Sequence, residues 1–267
     1  MTAVRFENVR FSYPSGVEAL HGVSFEVPTG QRLAIVGQNG AGKTTLVRHL
    51  NGIFQPTSGS VYVADAATTG RAIAELAASV GYVFQNPDEQ IFASTVIADV
   101  EFGPRNLGCS ADEARSRAMA ALETVGLAAE ADTHPLHLSL SERKRVALAG
   151  VLAMQTPIVV LDEPTTGQDA GGVAMVAGVV EALASAGRTV IAITHDMDFA
   201  AEHFDRVVVM AKGDVLADGA PATVFGEADA LARAAVEPPQ LFRLATHLGW
   251  PDRPLTVEGF VDAFERR

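Results

Sequence analysis

Apolar residues in this chain gather in short runs, with helix-length stretches of mixed polarity between them. Residues 4–13 alternate apolar and polar side chains in part, the habit of an edge or antiparallel strand. Pro14, Ser15 and Gly16 turn the chain, and residues 23–27 form a second strand closed by Pro28, Thr29 and Gly30. Residues 33–36 are an unbroken apolar run of the kind a buried strand shows. Further strands are expected over 60–63, 80–84, 158–161, 189–193, 207–210 and 215–217. Helices are expected over 45–50, 70–78, 95–102, 111–125, 139–153 and 172–183. Strands alternating with helices imply an α/β fold: a mixed, centrally parallel sheet with antiparallel strands at the N-terminal end. The run 95–138 is helical without strands, so it reads as a helical subdomain inserted in the sheet domain, about 86–153 with its flanks. Past residue 220 the pattern changes to short amphipathic helices broken by Pro238, Pro239, Pro251 and Pro254. Residues 1–220 are therefore expected to form the main domain, and 221–267 a small helical C-terminal extension.

The stretch after the 33–36 strand carries the first chemistry. Residues 37–44 fit G-x-x-x-x-G-K-[ST], and the context is strand, glycine loop, helix, as the motif requires. Gly37, Gly40 and Gly42 have no Cβ, so the loop can curl with its N–H groups turned inward toward phosphate oxygens. Lys43 reaches the β- and γ-phosphates as a point charge, and Thr44 offers a hydroxyl to Mg²⁺. The 158–161 strand ends in Asp162 and Glu163, the second half of a nucleotide site. Asp162 would hold Mg²⁺, and Glu163 would take a proton from an attacking water. Gln85 and His195 also end strands, and ligands bind at the carboxyl ends of strands in open α/β sheets.

Charge and composition narrow the classes. A net charge of −12 argues against nucleic acid as a partner, because phosphate-backbone binding needs clustered Lys and Arg. The single cysteine, Cys109, permits no intrachain disulfide and suits a reducing cytoplasm. The first thirteen residues carry Arg5, Glu7 and Arg10 and no apolar signal core. The longest uncharged apolar stretch, 146–161, is cut by Gln155, Thr156 and Pro157 and is too broken to span a membrane. Any membrane role is expected to pass through a partner protein.

Taken together, these motifs resemble the nucleotide-binding subunit of an ATP-binding cassette (ABC) transporter over residues 1 to about 220. The resemblance implies a P-loop NTPase that binds ATP with Mg²⁺ and hydrolyses it. Tyr13 falls where the family stacks an aromatic on adenine. Gly37, Gln38, Asn39, Gly40, Ala41, Gly42, Lys43, Thr44 and Thr45 match the Walker A loop. Gln85 matches the Q-loop glutamine, Asp162 and Glu163 the Walker B end, Asp169 the D-loop aspartate and His195 the switch histidine. Catalytic roles then fall to Glu163, His195, Gln85 and Lys43, and metal binding to Thr44, Gln85 and Asp162. The resemblance also implies two ATPase subunits, as a homo- or heterodimer, working on integral membrane subunits at the cytoplasmic face of the membrane.

A finer resemblance is to the ATPase subunits of energy-coupling factor importers of vitamins and transition metals. It rests on residues 86–92, Thr95, Val96, Asp99, Val100 and 102–104 after the Q-loop, and on the tail 241–264. The alternatives are the ATPase of another ABC transporter and a soluble ABC protein outside transport. The latter is disfavoured because the chain has one cassette, no long coiled coil and no basic surface. Two departures stand out. The family signature LSGGQ is here Leu138-Ser139-Leu140-Ser141-Glu142, and Gln168 replaces the usual D-loop leucine. Ser139 and Glu142 form a capping box locally, and Ser139, Ser141 and Glu142 would face the other subunit's γ-phosphate. Leu140 and Ser141 resist positive φ and add Cβ atoms near ligand, so the signature is expected to serve its site less well. Restoring glycine at 140 and 141 is then expected to raise turnover. Ile91, Phe92, Val96 and Ile97 are expected to be either core or part of a groove for a membrane subunit.

Overall fold

The structure is a computed structural model and describes residues 1–266. In chain order the strands are β1 (Thr2–Ser12), β2 (Glu18–Pro28), β3 (Arg32–Val36), β4 (Ser58–Val63), β5 (Ala66–Ala67), β6 (Val80–Val83), β7 (Ile158–Asp162), β8 (Thr189–Ile193), β9 (Arg206–Ala211) and β10 (Asp214–Gly219). The α-helices are α1 (Lys43–Val47), α2 (Ile73–Ala77), α3 (Val96–Asn106), α4 (Ala111–Thr124), α5 (Leu140–Met154), α6 (Ala170–Ser185), α7 (Met197–His203), α8 (Pro221–Val224), α9 (Ala228–Ala234), α10 (Gln240–His247) and α11 (Val257–Glu265).

Two sheets form. One is antiparallel, in the order β2-β1-β4-β5. The other runs β10-β9-β3-β8-β7-β6, parallel except for the antiparallel edge strand β10. This is the mixed arrangement the alternation of elements implies. All five residues of β7 and of β8 are buried, which is why those strands read as unbroken apolar runs.

Period-two alternation divides the strands between two cores. Ile158 and Val160 of β7 pack with Phe6, Val27 and Val61 of the antiparallel sheet and with Leu46 and Leu50. Val159 and Leu161 face the other way, into helices α3 to α9. The parallel sheet is thus the middle layer of a three-layer body.

Helices α3, α4 and α5 pack on one another. Gly103 lets α3 approach α5 closely, since a Cβ there would lie 2.5 Å from Met154 Cγ. Glu101, 3% exposed, accepts from Arg105 and, at 3.2 Å, from Arg115 of α4. α3 outruns its expected end at residue 102 and passes through Pro104. A proline this near the last turn removes one backbone donor without ending the helix.

In the C-terminal residues, Val224, Phe225, Leu231 and Ala234 of α8 and α9 belong to the helical-side core. A separate small core of Ala245, Trp250 and Ala263, with Phe260 against it, joins α10 to α11.

Candidate functional site

The glycine loop is shaped by contacts that exclude side chains. Gly37 has φ 148°, and a Cβ there would stand 2.1 Å from the Met210 carbonyl oxygen. Gly42 has φ 99°, and its Cβ would meet the Ala19 carbonyl oxygen at 2.8 Å. At this turn Lys43, 6% exposed, donates to the carbonyls of Gly37 at 2.6 Å and Gln38 at 3.1 Å. Burial lowers the Lys43 pKa, and the charges of Glu163 and Asp162 oppose that shift. Tyr13 lies beside the loop: its hydroxyl is 2.7 Å from Thr45 Oγ1, and its ring sits edge-on to Phe11 and Phe54.

β3, β8, β7 and β6 are neighbours in the sheet, so their carboxyl ends bring Lys43, His195, Asp162, Glu163 and Gln85 to one edge. An open cleft of about 210 Å³ there is lined by residues 39–45 with Gln85, Glu163 and Ile193. Asp162, buried at the end of β7, accepts from Thr44 Oγ1 at 3.4 Å and from Tyr82 Oη at 2.9 Å. Desolvation pushes the Asp162 pKa up, while the bonds from Tyr82 and Thr44 hold it down. Glu163 adopts φ 52°, unusual for a side-chain-bearing residue, which turns it out of the strand direction. Its Oε2 lies 2.6 Å from His195 Nδ1 and accepts from Thr166 Oγ1 at 3.3 Å. His195 therefore reaches the carboxylate of Glu163.

Thr44 and Asp162 supply only hard oxygen donors, and no cluster of three His, Cys, Asp or Glu capable of holding a metal exists among the described residues. That donor set fits Mg²⁺ held jointly with phosphate oxygens and water rather than in an all-protein cage.

Ser139, Ser141 and Glu142 lie outside this cleft, at the start of α5. The capping box is complete: Glu142 N donates to Ser139 Oγ at 3.3 Å, and Ser139 N donates back to Glu142 Oε2 at 2.8 Å, with Ser139 Oγ donating to the same oxygen at 2.7 Å. The two bonds to Oε2 lower the Glu142 pKa. The expected conflict with positive φ does not arise. The helix begins at Leu140, and neither Leu140 nor Ser141 is among the positive-φ residues. Asp169 caps α6, its Oδ1 accepting from Gly172 N at 2.7 Å.

The run after Gln85 is split between core and surface. Val96 and Ile97 are buried and Ile91 packs against the core, whereas Phe92 is 65% and Phe102 51% exposed, edge to face at 4.7 Å. Three contacts were not legible in the sequence. Tyr82 holds Asp162 from the neighbouring strand. Lys144 Nζ donates to the carbonyls of Glu163 at 3.3 Å and Thr166 at 2.7 Å. Gln90 accepts from Phe84 N and donates to the Ala147 carbonyl, tying the loop after β6 to α5. Apart from the Gln90–Phe84 bond, these join residues far apart in sequence, where spacing gives no sign.

The sequence profile of the ABC transporter family matches residues 20–166. The energy-coupling factor transporter ATP-binding protein EcfA of Methanocaldococcus jannaschii is 39% identical over 269 residues, covering 100% of this chain and 96% of that protein. EcfA1 of Methanospirillum hungatei is 40% identical, covering 93% and 90%. Among solved structures, cbiO1 from Clostridium perfringens, described as part of the ABC transporter complex cbiONQ, superposes with TM-score 0.76 at 35% identity. It covers 93% of this chain and 99% of that one. A dimeric ATP-binding cassette in a post-hydrolysis state bound to ADP and Pi superposes with TM-score 0.75 at 28% identity, covering 81% and 98%.

Proposed function

The chain belongs to the ABC transporter family, as an ATP-hydrolysing cassette, and from that membership we propose that it powers an importer of the energy-coupling factor type. The cargo would be a vitamin or a transition-metal ion, selected by a membrane subunit. In this reading the chain sits at the cytoplasmic face through that subunit and pairs head to tail with a second ATPase subunit, either a copy of itself or a paralogue. The match to EcfA over the whole chain, tail included, supports the importer type over other ABC transporters. The exposed Phe92–Phe102 pair beside the loop after β6 gives a membrane subunit an aromatic anchor to grip.

The observation that carries the catalytic reading is the convergence of Lys43, Asp162, Glu163 and His195 on one sheet edge. ATP phosphates would lie along the amides of residues 39–44, with Lys43 exchanging its carbonyl partners for phosphate oxygens. In this reading Tyr13, bonded to Thr45 of the loop, would stack on the adenine. Glu163 Oε2 takes the proton of a water attacking the γ-phosphate in line, and His195 keeps that carboxylate oriented. Gln85 lines the same cleft, and in this reading it would face the γ-phosphate. Mg²⁺, held by Thr44 and Asp162 with Gln85 beside it, would neutralise charge on the β- and γ-oxygens.

Ser139, Ser141 and Glu142 lie outside the cleft of their own chain, and the paired arrangement would give them a neighbour's γ-phosphate to face. Glu163→Gln should permit an ATP-bound dimer while lowering phosphate release about 100-fold or more. Size-exclusion chromatography with ATP and a phosphate assay check both halves. Near-normal hydrolysis would place the base elsewhere.

A further inference from the structure

Two of the departures from the family pattern, Ser141 and Gln168, are bonded to each other. Ser141 Oγ donates to Gln168 Oε1 at 2.7 Å, and Gln168 Nε2 donates to the Ser141 carbonyl at 3.3 Å. Both ends of one amide are spent on one residue. The fold leaves room for it, because a Cβ at Gly172 would lie 2.4 Å from Gln168 Oε1 and 3.0 Å from Gln168 Cβ. The amide therefore lies over a bare position of α6. A second tie stands one helical turn on, where Lys144 donates to the carbonyls of Glu163 and Thr166. The first two turns of α5 are thus each fastened to the turn 163–168 that carries Glu163.

We propose that Gln168 is a positioning residue: through Ser141 it fixes the first turn of α5 against the Glu163 turn, so that the two shift as one unit. This rests on the paired reading above, in which one end of that unit faces the neighbour's ATP and the other faces its own. The pair at 141 and 168 then compensates for the lost signature glycine. Glycine at 141 alone leaves Gln168 Oε1 without its hydroxyl donor and keeps only the bond to the backbone carbonyl, and the gain of turnover expected from the sequence becomes a loss.

The test is a double-mutant cycle in the full chain with Ser141→Gly, Gln168→Leu and the two combined. Each single variant should lower kcat for ATP hydrolysis roughly 3- to 10-fold at unchanged KM, the effect of one or two net hydrogen bonds. The double variant should match the singles rather than multiply them. Thermal unfolding of the same variants should show the same non-additivity, and ATP binding by Gln168→Leu should equal that of the unaltered chain. Wild-type kcat in either single variant overturns the proposal. So does a double variant whose loss is the product of the two, or a raised KM at constant kcat. The ATP-driven dimer of Glu163→Gln is scored in parallel. If thermal coupling is present but that dimer never forms, the paired reading fails and the positioning role with it. If the dimer forms without coupling, only the positioning role fails.

Discussion

The glycine loop and the start of α5 make an instructive pair. Both are places where the family uses glycine, and in one the glycines stay while in the other they are gone. At Gly37 the backbone has φ 148° and a carbonyl oxygen stands 2.1 Å from where a Cβ would be. No side chain fits. At 140 and 141 the backbone is ordinary helix behind a Ser139 cap, so side chains fit without strain. A glycine is obligatory only where dihedral and neighbour both demand it. Elsewhere its loss can be filled, here by the bond between Ser141 and Gln168.

The largest effect that would break this contrast is at the loop. Gly37→Ala must displace the end of β9 or the loop itself. It should lower ATP affinity at least about 100-fold and melt the protein several degrees earlier, with strain of roughly 1–3 kcal/mol. Titration with a fluorescent nucleotide and a melting curve check this, and unaltered binding would mean the loop has slack. Next in size is the cap. Ser139→Ala should cost about 1 kcal/mol of stability by removing an acceptor from the helix start, readable by denaturant unfolding.

The smallest effect sharpens the picture at the same cap. The Glu142 pKa is lowered in the folded chain, first by the Ser139 hydroxyl. A lowered carboxylate pKa contributes stability that is present above the ordinary glutamate range. That contribution is lost as pH falls through the lowered folded value. Glu142→Gln should therefore melt slightly earlier than the unaltered chain at pH 7, and the gap should close as the carboxylate protonates. Glu142 is solvent-exposed, so salt should shrink the gap as well. A pH-independent gap would mean packing, not charge, sets it.

Much of the fold could be read from the residues because β3, β7 and β8 are buried on both faces and cannot tolerate polar interruptions. Their ends were equally plain, since Asp162, Glu163 and His195 each follow such a run. What escaped was short or long-range. α7 has seven residues, too few to show a helical period, although Asp196 caps it by accepting from Phe199 N at 2.9 Å. Tyr82 and Asp162 meet only because β6 and β7 pair in register. The expectation of strain at 140 and 141 failed against a signal already in the sequence. A capping box at Ser139 and Glu142 places the residues between them in right-handed helix.

The division of β7 between two cores has a mechanical consequence. Val160 is clamped by the antiparallel sheet and Leu161 by the helices, one residue apart. The strand can neither slide nor tilt without tearing packing on both sides, so its tip serves as an anvil. Whatever travel a working cycle requires must be taken up by the segments that hang from such tips, above all the stretch after Val83 and the turn beyond Asp162.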